Sequence, residues 1–189
     1  MQINYEHVIE AFSIMGNLAS PASEIHSART SLLALQIGER LGLGTHDMTL
    51  LRYGADVHDT GKIFLDNNIL HKAGRLNRAQ RAHVEKHAEL GYEALVPLRG
   101  PREVELTLLH HHEHWDGSGY PAKLAGEDIP LFARIVCVAD VWDALLSDRS
   151  YRPAYSQVNA LGIMTQVSTW FDPRLYLTFL DIVRGEPNA

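Results

Sequence analysis

The sequence predicts an all-α fold, a compact bundle of about seven helices. Apolar residues recur at a helical period along most of the chain, whereas the alternating apolar and polar runs of half-buried strands are almost absent. With 189 residues and 46% hydrophobic content, the chain can bury a sizeable core. We therefore expect a single domain over residues 1–189, with 1–20 as an N-terminal helical extension and 21–184 as the core that carries the site.

The individual helices follow from apolar spacing and from capping or breaking residues. Ser23, Asn77 and either Thr45 or Asp47 are expected to cap helices, and Pro101 is expected to open one at its first turn. Between Glu113 and Pro130 lies a loop rich in glycine and proline. The predicted helical ranges are Tyr5–Leu18, Ser23–Leu41, Met48–Val57, Asn77–Leu90 with its continuation Gly91–Leu98, Pro101–His112, Leu131–Ser147, Ser156–Val167 and Arg174–Val183.

Composition narrows the class of protein. The net charge is −6, so the chain has no general basic field for polymeric nucleic acid, and any phosphate ligand must be held locally. No apolar run is long enough to cross a bilayer, and no segment has the pattern of a signal peptide. The one cysteine, Cys137, excludes an internal disulfide framework. We expect a soluble protein of the cytoplasm.

The stretch HHHEHWDGSGYP at residues 110–121 is the most unusual part of the chain. It combines imidazoles, two carboxylates, aromatic rings and a glycine turn within twelve residues. Helix packing requires no such mixture. We therefore interpret it as half of a metal site that continues into a loop facing a ligand.

The other half is predicted at the ends of the remaining helices. The set has no thiolate, and imidazole with carboxylate suits iron, manganese, zinc or nickel. Seven side chains are too many for one ion and fit two, with a bridging aspartate after the histidine at position 58. The candidate ligands are His26, His58, Asp59, His87, His111, His112 and Asp140.

Each candidate ligand can also be explained by a structural role that involves no metal. A single helical histidine such as His26 or His87 is more often a core or surface residue, and Asp59-Thr-Gly is a common way to end a helix. Asp140 is more informative, because it lies in the apolar run Ile135–Val141, and a buried carboxylate must be paired or bound to a metal.

Other polar residues have less support as ligands. Glu113 and Asp116 are expected to have structural or supporting roles, and Cys137 is expected to be a small core residue. The histidines expected at the surface or behind the ligands are His7, His46, His71, His83, His110 and His114.

These motifs resemble the HD-GYP subgroup of HD-domain phosphohydrolases. His58-Asp59-Thr-Gly-Lys62, Lys86-His87 and His111-His112-Glu-His-Trp-Asp-Gly-Ser-Gly-Tyr-Pro121 carry the resemblance. The pattern continues in Val138-Ala-Asp140 and in Asp148-Arg-Ser-Tyr-Arg152, and the match spans roughly His26 to Leu180. The GYP loop with its double histidine is highly specific, whereas the His-Asp pair alone would be weak.

The resemblance implies a phosphodiesterase that hydrolyses cyclic di-GMP to linear pGpG, with further hydrolysis to GMP left open. It implies a centre of divalent metal ions, iron or manganese, held by the seven residues above, with hydroxide formed from water between two ions and Asp59 as the bridging ligand. Family members with a third metal have a glutamate four residues before the first histidine. Here that position is Ala22, so we expect two metals, although Glu24 keeps a third site open.

The resemblance also assigns contacts to the substrate. Lys62 is expected to reach the phosphate or the leaving oxygen, and Arg149 and Arg152 match positions that contact the second phosphate. Tyr120 and Trp115 are expected to border a guanine. A diguanylate cyclase domain is the partner expected at the GYP loop.

Two alternatives remain open. The chain can be a related HD phosphohydrolase that acts on another nucleotide such as cGAMP. It can also be a catalytically silent module that binds cyclic di-GMP, or a diguanylate cyclase, without turnover. Metal content measured together with turnover separates these hypotheses.

Overall fold

The computed structural model describes residues 4–19, 21–148 and 152–186, and it describes their side chains except those of residues 17–24. The described residues are mostly helical and contain no β-strand, which confirms the predicted all-α class. The α-helices are α1 Tyr5–Ala19, α2 Pro21–Arg40, α3 Thr45–Val57, α4 Asn67–Leu70, α5 Arg78–Glu85, α6 His87–Leu95, α7 Arg102–His110, α8 Leu131–Leu146, α9 Gln157–Gln166 and α10 Pro173–Arg184. Short 3₁₀ helices lie at Thr60–Phe64, Val96–Leu98, Gly126–Asp128 and Ser168–Trp170.

Two of the predicted helix starts are confirmed by side-chain caps. Asn77 forms a full capping box with Gln80 at the start of α5, and Ser156 accepts from the backbone N–H of Asn159 at the start of α9. The prediction of a Thr45 or Asp47 cap is wrong. Helix α3 begins at Thr45 after the N-cap residue Gly44, and no side chain caps its start.

Two other boundaries differ from the prediction. Helix α2 begins at Pro21, two residues before Ser23, because proline already has the backbone angle of a first helical turn and lacks the N–H that such a turn leaves unpaired. The helix predicted over Asn77–Leu90 is divided at Lys86, so that α6 starts at His87.

Helices α2, α3, α7 and α8 form the centre of the bundle. Helix α2 packs against both α3 and α8, and α7 packs against α3, α6 and α8. The core residues Ile37, Leu51, Leu108 and Ile135 come from these four helices, and each is 0% exposed. Ile9 of α1 belongs to the same core, so α1 packs against the bundle.

One close approach of backbones positions the site. The 3₁₀ helix Thr60–Phe64 packs directly against α6, and a Cβ added at Gly61 would lie 1.9 Å from the carbonyl oxygen of His87. Only glycine allows this approach. The His58-Asp59 pair at the end of α3 is thereby brought against the start of α6.

No helix in the described part of the chain has the length and apolar character needed to span a membrane.

Candidate metal centre

The seven residues predicted as metal ligands lie together in the structure. Three of them lie at the start or in the interior of a helix: His26 in α2, His87 in α6 and Asp140 in α8. The pairs His58-Asp59 and His111-His112 directly follow the ends of α3 and α7. They form two groups, and within each group the ligand atoms lie within 4.8 Å of one another. The groups are Asp59, His87, His111 and His112, and His26, His58 and Asp140.

The carboxylate of Asp59 lies between the two groups. Its Oδ1 is 3.4 Å from Nε2 of His87, and its Oδ2 is 3.6 Å from Nε2 of His58. The same Oδ2 is 3.8 Å from Nε2 of His26. Each oxygen of one carboxylate therefore faces a different set of imidazole nitrogens, which is the arrangement required of a bridging ligand.

The backbone sets the orientation of three of the imidazoles. His58, His87 and His111 each donate from Nδ1 to the carbonyl three residues earlier, at 2.7, 2.8 and 2.8 Å. Because a carbonyl only accepts, these bonds leave the Nε2 lone pair free to bind a cation. Nε2 of His58 is buried without a hydrogen-bond partner in the described structure. An unpartnered buried acceptor of this kind fits a metal ion.

Asp143 orients His26 in the same way. Its carboxylate accepts from Nδ1 of His26 at 2.6 Å and from Nε of Arg29 at 2.5 Å, and the Ser147 hydroxyl donates to it at 3.1 Å. A carboxylate behind a histidine fixes the ring and makes the opposite nitrogen a stronger ligand. The hydrogen bonds of Asp143 also join α2 to α8, and these two helices carry His26 and Asp140.

Burial and neighbouring charge keep the site in the protonation state that a cation requires. Burial lowers the pKa of His87 to about 4 and that of His112 to about 3, so both rings are neutral at pH 7. Burial opposes ionisation of Asp59, but the Lys62 ammonium and the His58 ring outweigh it and hold the pKa well below its usual range. Neutral imidazoles beside ionised carboxylates are the forms that bind metals.

His26 is the exception among the imidazoles. Burial acts to lower its pKa, but hydrogen bonds with Asp140 and Asp143 outweigh burial and raise the pKa to about 9. Nε2 of His26 lies 3.0 Å from Oδ1 of Asp140. A proton therefore occupies this pair in the protein without metal, and it must leave before a cation binds there.

The family model of the HD domain matches residues 11–175, most of the chain. The chain belongs to the HD domain family. Among curated relatives, it is 42% identical over 150 residues to the cyclic di-GMP phosphodiesterase response regulator RpfG of Xanthomonas campestris pv. campestris. The matched residues make up 77% of this chain and 39% of that protein. It is 35% identical over 162 residues to 3'3'-cGAMP-specific phosphodiesterase 2 of Vibrio cholerae, and these residues make up 82% of this chain and 30% of that protein.

Solved structures share the fold. The HDG"Y"P protein Bd1817 of Bdellovibrio bacteriovorus superposes with a TM-score of 0.72 at 20% identity, over 96% of this chain and 64% of that one. The V-cGAP3 phosphodiesterase of V. cholerae gives a TM-score of 0.64 at 22% identity, over 92% of this chain and 48% of that one. The resemblance to the HD-GYP subgroup is confirmed. The chain spans well under half of the length of its first curated relatives.

The GYP loop of this HD domain folds back over the group formed by Asp59, His87, His111 and His112. The ring of Tyr120 stacks on His112 with centroids 4.8 Å apart, and its backbone N–H donates to the carbonyl of His112 at 3.1 Å. The buried carboxylate of Glu113 accepts from the backbone N–H groups of Ala122 and Leu124 at 2.7 and 3.1 Å. Glu113 therefore holds the loop in the position from which Tyr120 covers the site.

The outer part of the loop is anchored to the 3₁₀ helix before α10. The His114 ring stacks on Trp170 at 4.2 Å, and Thr169 donates to the carboxylate of Asp116 at 2.9 Å. Trp115 donates its backbone N–H to Trp170 and lies 5.6 Å from the Arg134 guanidinium. Asp116 and His114 thus stabilise the loop.

The predicted substrate residues have different positions. The Lys62 ammonium donates to Oδ2 of Asp59, so it lies at the centre of the site. Arg152 donates to the carbonyls of Ala144 and Leu145 at 2.7 and 3.2 Å, and its guanidinium caps the end of α8 rather than extending toward the cluster. Its contact with a second phosphate therefore stays a prediction.

Three residues on which predictions rest have no side-chain description. Arg149 lies outside the described residues, as do the side chains of Ala22 and Glu24. The role of Arg149 and the number of metals thus remain predictions.

The remaining histidines and the cysteine lie outside the cluster. His7, His46 and His71 are exposed, and His83 accepts from the backbone N–H of Asp66 at 3.1 Å. His110 is buried, with Nδ1 3.5 Å from the Glu113 carboxylate. Cys137 is confirmed as a core residue.

Asp143 and Arg29 were not identified from the sequence. The available signal was spacing, because Asp143 follows Asp140 by three residues and Arg29 follows His26 by three residues. That spacing places each residue on the same helical face as its ligand. The pairing itself joins residues 114 positions apart and depends on the packing of α2 against α8.

Replacing Asp143 by alanine is expected to weaken metal binding roughly 10- to 100-fold, because His26 loses the carboxylate that fixes its tautomer. Competition with a chelator measures this affinity directly. Asp47→Ala is the matched control, since Asp47 is exposed in the first turn of α3. Unchanged affinity in Asp143→Ala would contradict the orienting role.

Without metal, the protein is expected to lose stability as the pH falls below 6.5. The unfolded chain binds protons at His87, His111 and His112 near pH 6.5, whereas burial lowers all three pKa values in the folded state, to about 4 for His87 and about 3 for His112. Folding therefore excludes these protons, and each such histidine costs about 1.4 kcal/mol of stability per pH unit over this window.

Denaturant unfolding of chelator-treated protein between pH 7 and pH 5 tests this expectation. Replacing His112 by asparagine should reduce the pH slope by about one proton, whereas His46→Asn, at an exposed position, should leave it unchanged. A stability that does not change with pH over this range would refute the prediction.

Proposed function

We propose that this chain is a metal-dependent phosphodiesterase that hydrolyses cyclic di-GMP to linear pGpG. The observation that carries the proposal is the position of Asp59, whose two carboxylate oxygens face two separate sets of imidazole nitrogens. This arrangement suits a pair of cations rather than one. Its setting, an HD domain that resembles proteins named cyclic di-GMP phosphodiesterases, supports the choice of substrate.

We propose that the two groups of ligands hold two divalent ions, iron or manganese. His26, His58 and Asp140 would hold one ion, His87, His111 and His112 the other, and Asp59 would contact both. Nitrogen and oxygen donors without a thiolate are compatible with these metals. When bound, such ions polarise a phosphoryl oxygen and lower the pKa of water.

The chain's own residues would position and stabilise the reacting phosphodiester. Lys62, held against Asp59, is placed to donate to a phosphate oxygen or to the leaving 3′ oxygen. Tyr120 covers His112, where a guanine base can meet the phenol ring. Arg149 and Arg152 are proposed to contact the second phosphate, which for Arg152 requires release from the end of α8.

Hydrolysis of cyclic di-GMP by protein loaded with manganese or iron tests the proposal. The expected products are pGpG and, if the second bond is also cut, GMP, with two metal ions per chain by elemental analysis. Cyclic di-GMP that binds without product at full metal occupancy would instead identify a silent signalling module. Protein with no metal and no turnover after reconstitution would refute the proposal.

A second substrate is favoured by particular relatives. Three of the curated relatives are named 3'3'-cGAMP-specific phosphodiesterases, at 32–35% identity. We therefore propose to compare kcat/KM for cyclic di-GMP, 3'3'-cGAMP and cyclic di-AMP on one preparation. A preference for cGAMP would change the substrate and leave the two-metal site as proposed.

We further propose that the rim of the GYP loop is the surface for a diguanylate cyclase domain. Asp116, Ser118, Ala122 and Lys123 are exposed there, while Glu113 holds the loop from beneath. Substituting Lys123 by glutamate should reduce binding of a cyclase domain in a pull-down and leave cyclic di-GMP turnover intact.

A further inference from the structure

The segment Lys72–Lys86 has a charge opposite to that of the rest of the chain. It contains five Lys and Arg residues and one carboxylate, a formal charge of +4, which leaves −10 for the remainder of a chain whose net charge is −6. Its lysine and arginine residues are Lys72, Arg75, Arg78, Arg81 and Lys86. Such a local excess creates a positive field that the rest of the chain cannot supply.

The charges of this basic segment are directed to solvent. Arg75, Arg78, Arg81 and Lys86 are exposed, and none of the four forms an ion pair with a described residue. Helix α5, which lies in this segment, has no buried residue. These arginines therefore contribute little to core packing, and their side chains are free to act on ligands in solution.

The basic segment adjoins the metal centre. Lys86 directly precedes His87, whose Nε2 is 3.4 Å from Asp59. Asp66, which follows the 3₁₀ helix of Lys62, donates its backbone N–H to Nε2 of His83 in α5 at 3.1 Å. On the side of the GYP loop, the ring of His87, the residue after Lys86, lies 6.5 Å from the Tyr120 ring.

We infer that the basic segment is an electrostatic guide that concentrates the dianionic cyclic dinucleotide near the metal centre. The inference rests on the proposed function. A cyclic dinucleotide carries two phosphodiester charges, and a chain with a charge of −10 elsewhere would repel it. Exposed cations beside the metal centre offset that repulsion and raise the local substrate concentration before any direct contact with the metal-binding residues.

The guide has a signature that distinguishes it from direct phosphate contact. Long-range attraction acts between solvent-exposed charges, so it weakens as salt shortens the Debye length from about 30 Å at 0.01 M to about 3 Å at 1 M. It affects the encounter and therefore KM, while the chemical step is unaffected. Arg78 and Arg81 are the residues to alter, because both lie on the exposed helix α5 and neither lies among the metal-binding candidates.

Charge reversal at these positions tests the inference. For the metal-loaded Arg78→Glu/Arg81→Glu double variant, KM for cyclic di-GMP should rise about tenfold at about 0.01 M salt and approach the unaltered value at about 0.5 M salt. The kcat should stay within a factor of about two, because no group at the reacting phosphate changes. Arg102→Glu/Arg184→Glu is the matched control, with the same change in net charge at exposed positions.

Calorimetry of cyclic di-GMP binding under the same salt conditions distinguishes a failure of the guide from a failure of the proposed function. Turnover with equal KM in both double variants would overturn the guide and leave the proposed function intact. Binding that depends on salt and on Arg78 and Arg81, but without product, would support the guide and overturn the enzyme. A lack of both binding and turnover would overturn both.

Discussion

Replacing Asp59 by asparagine is expected to lower cyclic di-GMP turnover by roughly 10³-fold, even when metal is supplied in excess. Asparagine has nearly the same shape but only one oxygen and no charge, so it cannot serve both groups of imidazoles. In the structure, Nε2 of His87 lies 3.4 Å from Oδ1 of Asp59, and Nε2 of His58 lies 3.6 Å from Oδ2. The substitution also removes the charge that pairs with Lys62.

Elemental analysis and steady-state kinetics on the same sample measure this effect. Fewer than two metals per chain together with lost turnover is the expected result for Asp59→Asn. Asp47→Asn makes the same chemical change in the first turn of α3 and should preserve both. Turnover of Asp59→Asn equal to that of the unaltered protein would eliminate the bridging role.

The sequence was sufficient to predict the all-α fold and the set of residues that cluster. Seven polar residues lie within or at the ends of helices, and Asp140 lies in an apolar helix where an isolated carboxylate would be too costly to bury. These are local signals, and each can be found within one helix. All seven residues are brought together in the structure.

Interactions between distant segments were not predictable in this way. The bonds from Asp143 to His26 and Arg29 span 117 and 114 positions and depend on how α2 packs against α8. The role of Glu113 was predicted only as structural, because its acceptance from Ala122 and Leu124 requires the loop to fold back. A sequence pattern identifies such residues but not their partners.

Arg152 shows a different limit. Family resemblance assigns it to a second phosphate, yet in the structure its guanidinium donates to carbonyls at the end of α8 and lies 4.4 Å from the Tyr155 ring. Carbonyls at a helix end attract a cation whether or not a phosphate is present. Local electrostatics and substrate recognition thus compete for one side chain, and a motif does not indicate which prevails.

Replacing Gly61 by alanine is expected to destabilise the protein by roughly 3 kcal/mol and to disrupt the metal centre. The added Cβ would lie 1.9 Å from the carbonyl oxygen of His87 and 2.7 Å from the backbone nitrogen of Gly91. Both obstacles are backbone atoms of α6, so no rotation of a side chain relieves the clash. The 3₁₀ helix must then move away from α6, which separates Asp59 from His87.

Two measurements distinguish this effect from a general loss of stability. Denaturant unfolding gives the change in the free energy of unfolding, and chelator competition at low denaturant gives the metal affinity of the folded fraction, which should fall because Asp59 and His87 no longer meet. Gly162→Ala is the matched control, since Gly162 lies inside α9 and an added Cβ there would meet no other part of the chain. That substitution should stabilise the protein by about 0.5–1 kcal/mol. Equal stability and metal affinity in Gly61→Ala and Gly162→Ala would show that the contact of the 3₁₀ helix with α6 does not position the site.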